Sequence, residues 1–122
     1  MKYILLFFIL FTITYQSNAQ YTGPSASADR QMNVEEVLNN ARLLQIRDIE
    51  VQLRGYITQH IREDYYLFED ASGDLLIEID REVMPTFPFD DTTEIIMTGE
   101  VDFDVLRGTY IWVRNIQRAR IE

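Results

Sequence analysis

Apolar residues recur at every second position early in the chain: Ile49, Val51, Leu53, Ile57 and Ile61 share one phase. Glu50, Gln52, Arg54, Thr58, His60 and Arg62 take the other. This alternation predicts a long strand with one buried and one solvated face. Gly55 falls in the apolar phase near its middle, where a missing side chain lets a strand bend and serve two sheets. A second strand is predicted over residues 65–69, with apolar residues on both phases, so its inward face stays open. Asp70-Ala71-Ser72-Gly73 reads as a tight turn, because Asp bonds its own backbone and Gly accepts positive φ. A third strand, residues 75–80, follows with Leu75, Ile77 and Ile79 in phase.

Either side of this meander the pattern changes. Asn33 and Glu36 form a capping box, and Val34, Val37, Leu38 and Ala41 repeat at helical spacing. They predict a short helix ending near Arg42, with residues 43–48 as connector. After the third strand, Pro85 and Pro88 exclude a central strand, while Met84, Phe87 and Phe89 supply apolar anchors. Residues 81–89 therefore read as a short helical turn or packed loop that plugs one end of a barrel. Ile95, Met97, Val101 and Phe103 share an inward phase with Gly99 in a fourth strand. Residues 104–108 form a hairpin loop with Gly108 at its positive-φ position. A fifth strand covers residues 109–121; Ile111 and Val113 take one phase and Ile116 the other, which places a bulge near Arg114-Asn115. The fold class is mainly β: a small five-stranded Greek-key barrel of the OB type, with a short N-terminal helix and a plug between strands three and four.

Composition bounds what such a barrel does. Residues 1–19 read as a secretory signal peptide, with Lys2, an apolar run over residues 3–15 and the small-x-small site Ser17-Asn18-Ala19. The apolar run is too short for a span of about 20 residues, so no stable membrane insertion is expected after cleavage. Residues 20–31, rich in Gly, Pro, Ser and Ala, read as a flexible N-terminal arm, and residues 32–122 as the OB domain. No cysteine is present, which excludes disulfides, thiol chemistry and thiolate zinc sites. The full chain carries a formal charge of −9. Without Lys2 it has ten arginines against twenty carboxylates and no lysine, a net −10. That field disfavours nucleic acid; solubility alone accounts for it, with cationic partners as the alternative.

Several short sequences now stand in order: Tyr21-Thr22-Gly23-Pro24-Ser25, Val51-x-Leu53-Arg54-Gly55-x-Ile57, Tyr66-Leu67-Phe68-Glu69-Asp70-Ala71-Ser72-Gly73, Ile77-Glu78-Ile79-Asp80 and Gly99-Glu100-Val101-Asp102. Their order and spacing resemble the bacterial OB-fold (BOF) family, of the YgiW/YdeI type, over essentially all of the mature chain. The resemblance implies a small periplasmic OB barrel linked to tolerance of oxidative, acid or cationic-peptide stress. It implies binding rather than catalysis, of cell-wall saccharide or of envelope proteins, and brings no catalytic residues.

OB barrels take ligands on the face of strands two and three, between the loops joining strands one to two and four to five. The candidate ligand-binding residues are Tyr56 and His60 on strand one, Tyr65 and Glu69 on strand two, and Arg107 in the last loop. Tyr65 and Glu69 join that face if Tyr66 and Phe68 point inward. Rings beside carboxylates and an arginine can stack on a sugar such as a peptidoglycan fragment, or grip a segment of an envelope protein. The alternative is an acidic sequestering protein for cationic peptides or metal ions. His60 is the single histidine, without a partner His or Cys for a metal. Asp70-x-Ser72-Gly73-Asp74 lacks the bidentate Glu of a calcium loop and is explained by its turn. Neither a G-x-S-x-G nucleophile motif nor a phosphate-binding glycine loop occurs, so no catalytic residues and no cofactor are assigned. Arg114, Arg118 and Arg120 read as salt-bridge partners of neighbouring acidic strands.

Overall fold

The computed structural model describes residues 31–120. The expected signal peptide, nearly all of the expected arm, and Ile121 lie outside the described residues. One helix, α1 (Val34–Ile46), precedes five strands: β1 (Glu50–Arg62), β2 (Tyr65–Asp70), β3 (Gly73–Glu78), β4 (Ile95–Asp104) and β5 (Gly108–Arg118). The strands close into a barrel in the order β1-β2-β3-β5-β4, with every pair antiparallel except β3–β5. This is the predicted OB-type architecture.

β1 carries the closure. Its residues 50–55 pair with β4 and its residues 56–62 with β2. The change of partner falls at Gly55, where a Cβ would press on the Glu69 carbonyl oxygen and the Phe68 ring. Only a residue without a side chain lets β1 and β2 approach this closely. Inward side chains from all five strands, among them Leu53, Phe68, Ile77, Ile95, Met97, Ile111 and Val113, form one fully buried core. Val34, Val37 and Leu44 join it from α1, and Val83, Met84, Phe87 and Phe89 pack against it from residues 79–94. That segment opens with a helical turn in which the Val83 and Met84 N–H groups donate to Asp80 O, and it otherwise lacks helix or strand, as expected.

Three expectations need correction. The helix runs on to Ile46 rather than ending near Arg42, and Asp48, at φ 50°, turns the chain into β1. Ile61 and Phe103, expected inside, are exposed. β1 shifts register on β2 between Ile57 and Gln59 and again between His60 and Arg62, so the two-residue period breaks before Ile61. Phe103 keeps the inward phase but lies beyond the end of the core. The third strand spans Gly73–Glu78 rather than residues 75–80, although Ile79 stays buried. The bulge expected near Arg114 is present: β4 and β5 shift register between Thr98 and Gly99, opposite Asn115 and Val113.

The helix is anchored on the β2–β3 turn. Asn33 accepts from the Glu36 N–H at 2.8 Å in the predicted capping box. Asp70 Oδ2 accepts from the Val34 N–H at 2.9 Å and Ser72 Oγ from the Glu35 N–H at 3.0 Å. Carboxylate and hydroxyl thus satisfy N–H groups that a helix start leaves free. The Asp70-Ser72 pair is accounted for by this anchoring. Gln31, the last residue of the expected arm, bridges β1 at Gln52.

Candidate functional site

The closing strands bring an unusual set of side chains to one outer face. Tyr65 on β2 pairs with Glu78 on β3, Glu78 with Trp112 on β5, and Trp112 with Glu100 on β4. One row along, Leu67, Leu76, Tyr110 and Asp102 succeed one another. The β1–β2 and β4–β5 loops flank this face. The Arg107 guanidinium lies over the Tyr65 ring at 4.4 Å, and Tyr65 meets Tyr110 edge-on at 6.0 Å. The Arg114 guanidinium lies over Trp112 at 3.9 Å while donating to Glu100 Oε2 at 3.2 Å. Such stacking is the favourable geometry for a cation on an aromatic ring.

Carboxylates fill the space between the rings. Trp112 Nε1 donates to Asp80 Oδ2 at 3.0 Å, and the Tyr110 hydroxyl to Asp102 Oδ2 at 3.1 Å. Asp64, Glu78 and Asp80 offer oxygens that lie within 4.8 Å of one another. Among the described residues none of these three forms an ion pair; the pairs are Arg54–Glu94, Arg107–Asp104 and Arg114–Glu100. Burial raises the Glu78 carboxyl above the usual range, and the charges of Asp80 and Asp64 add to the rise. Burial also pushes Tyr110 up to about 12, with the Asp102 hydrogen bond next in weight. Opposing this, Asp104 is held low by N–H groups of its own loop, chiefly that of Leu106. The loop that carries Arg107 is therefore set by its Asp104 anchor. The face as a whole carries uncompensated negative charge and has the means to bind a cation with several donors.

Removing one charge tests this electrostatic picture. The folded-state value of Glu78 is raised, so burying it favours folding below its ordinary pKa and that contribution is lost as pH rises through the raised value. Glu78→Gln is expected to raise the melting temperature at pH 7. The advantage over wild type should vanish below about pH 4, where an ordinary glutamate is protonated. Equal melting temperatures at pH 7 would remove the repulsion argument.

The structure divides the sequence-predicted residues into three places. Tyr65 and Arg107 are brought together on this face. Tyr56 and Glu69 pair at the far end of β2, where Tyr56 donates to Glu94 Oε2 at 3.1 Å beside the helix start. His60 stands apart: its ring stacks on Tyr66 at 4.4 Å and its Nε2 lies 2.7 Å from the Glu63 carbonyl oxygen. Phe68 is buried and Tyr66 partly buried, which settles the inward phase of β2 and turns Tyr65 outward. Glu78, Asp80, Tyr110 and Trp112 were missed as site residues. The available signal was their shared outward phase on strands that an OB barrel makes neighbours.

A closed five-stranded barrel in the order β1-β2-β3-β5-β4 defines an OB-fold protein. The sequence matches the bacterial OB fold (BOF) protein family over residues 13–118, and the chain belongs to that family. It is 39% identical over 88 residues to the calcium-regulated OB-fold protein CarO of Pseudomonas aeruginosa, covering 72% of this chain and 71% of that one. To an uncharacterized protein of Haemophilus influenzae it is 26% identical over 120 residues, 98% of this chain and 99% of the other. Protein YgiW of Escherichia coli K12 is 44% identical over 59 residues, 47% of this chain and 44% of its own. The solved structure of the hypothetical protein ygiW from E. coli superposes with a TM-score of 0.63 at 32% identity, covering 82% of this chain and 98% of that one.

Proposed function

We propose that this protein is a non-catalytic, exported binding module of the periplasm that acts in envelope stress tolerance. Its ligand is a cationic segment of a peptide or envelope protein, held on the face between the β1–β2 and β4–β5 loops. Family membership and the apolar run before Ser17-Asn18-Ala19 support the location. The observation that carries the ligand class is the group Asp64, Glu78 and Asp80, without an ion-pair partner among the described residues and flanked by Tyr65 and Trp112. The two rings are already covered by Arg107 and Arg114. A sugar has to displace a guanidinium to stack there, whereas the carboxylates of Asp64, Glu78 and Asp80 can receive a further cation beside the covered rings. Planar, multidentate guanidinium also satisfies several carboxylates at once.

The test is an NMR titration of isotope-labelled residues 20–122 with an arginine-rich peptide, a muropeptide and calcium, each at low and at physiological salt. The peptide is expected to shift Tyr65, Glu78, Tyr110 and Trp112 together, with the shifts weakened but not erased by salt. Diffuse shifts over many Asp and Glu residues, gone at physiological salt, would leave only non-specific charge. Binding of the muropeptide alone at these residues would make the ligand a saccharide. Calcium shifts confined to Asp64, Glu78 and Asp80 would make it an ion.

A further inference from the structure

The wall of this face continues into a trough between α1 and β4. A cavity of about 250 Å³ lies at the β1 end of the helix, with Asp48, Glu100, Asp102 and Trp112 in its lining. A second, of about 540 Å³, lies further along the helix, with Leu38, Ala41 and Phe103. The two share Gln45, Val101 and Asp102 and so form one continuous depression. It is acidic at one end and apolar at the other. Among the described residues, a hydrogen bond from Gln45 Nε2 to Asp102 Oδ1, at 3.3 Å, crosses it.

The apolar end has the character of a docking surface. Phe103 is 57% exposed although it keeps the inward phase of β4, because the core ends before it. Leu38, on the facing side of α1, is 45% exposed. Val105 and Leu106, each 90% exposed, extend the patch over the tip of the β4–β5 hairpin. Asp104 holds that tip by accepting from the Leu106 N–H at 2.7 Å and the Arg107 N–H at 3.1 Å. Contiguous exposed apolar side chains rimmed by polar residues mark interaction sites. Charge sets the partner and its direction. Arg42 lines the apolar end and repels a cation there, while Asp48 at the other end and Asp102 at the junction of the two attract one.

We propose that the trough seats an amphipathic cationic segment of a partner polypeptide. Its apolar side chains lie against Leu38 and Phe103, and its cationic group displaces the Gln45 amide from Asp102 on the way to the aromatic face. This rests on the reading that the acidic face takes a cationic segment, and extends it from charge alone to charge with an apolar anchor on a fixed side. Burying one large apolar side chain more than an all-cationic peptide does is worth about a tenfold gain in affinity.

Two synthetic peptides of equal length and charge test this, one carrying leucines on one helical face and one with glycines in their place. Wild type is expected to bind the leucine peptide about tenfold more tightly. Phe103→Ser and Leu38→Ser, both at exposed positions, should each abolish most of that difference and leave the glycine peptide within about twofold. Equal affinity of the two peptides, or a leucine peptide indifferent to Phe103→Ser, would overturn the proposal. So would a wild-type dimer in sedimentation that Phe103→Ser converts to monomer, since the trough would then be a self-interface. Tyr65→Ala separates the two readings: if it spares both peptides while Phe103→Ser weakens the leucine peptide, the aromatic face fails and the trough stands. Binding of neither peptide overturns both.

Discussion

Phe68→Ala is expected to cost about 3–5 kcal/mol, a large share of the stability of the fold. Phe68 is fully buried and among the largest such side chains in the core. It sits where β1 changes partners, against the space that Gly55 leaves open. Truncation removes the ring from the one place where two strand pairings and the core meet. The neighbours cannot collapse into the gap, because Gly55 has no side chain to offer and its backbone is held by β2 on one side and β4 on the other. A domain of this size has about 5–15 kcal/mol of stability in all. The melting temperature should fall by about 15 °C or more, measured by far-ultraviolet circular dichroism. A fall of only a few degrees would mean that the barrel repacks around the cavity and that β1 is less constrained than its pairing indicates.

Gly99→Ala is the second large effect. A methyl group there would overlap the carbonyl oxygen of Trp112 and stand 2.6 Å from Ile111 Cγ2. The obstacle is the backbone of β5, not the end of a flexible side chain. Gly99 is also where the β4–β5 register shifts. Relief requires the two longest-paired strands to separate or slip, at about 3 kcal/mol. Because Trp112 is the single tryptophan, its fluorescence reports the change directly. Wild-type emission should be that of a half-buried indole bonded to Asp80, and Gly99→Ala should shift it before thermal unfolding begins. An unchanged spectrum together with an unchanged melting temperature would refute the close-approach argument.

Much of this architecture was legible because its causes are local. The capping box at Asn33, the alternation along β1 and the phase break at Arg114 each follow from a few neighbouring residues. The last turn of α1 was overlooked although buried Leu44 continues the Val34, Val37 and Ala41 spacing, because Leu43 and Ile46 beside it are apolar yet exposed and blur the face. Ile61 was misread because one register shift separates it from the regular half of β1 and a second falls at Ile61 itself. The site was half legible. Tyr65 and Arg107 follow from where OB barrels keep their loops. Glu78 and Asp80 look like an ordinary solvated strand face until β5 sets Trp112 beside them, and that pairing joins positions more than thirty residues apart. No local pattern reports it.

The same pairing bears on how the protein assembles. The antiparallel β1-β2-β3 meander needs only short turns and can form quickly, but β1 must wait for β4, some forty residues later, to complete its other half. Closure comes through β3–β5, the one parallel pairing among the five strands and the shortest, with three residue pairs. Glu78 meets Trp112 at one of those three. The aromatic and acidic face therefore comes into being only when the barrel closes. A chain that is still folding displays no half-formed version of it: the face is made whole, at the last pairing, or not at all.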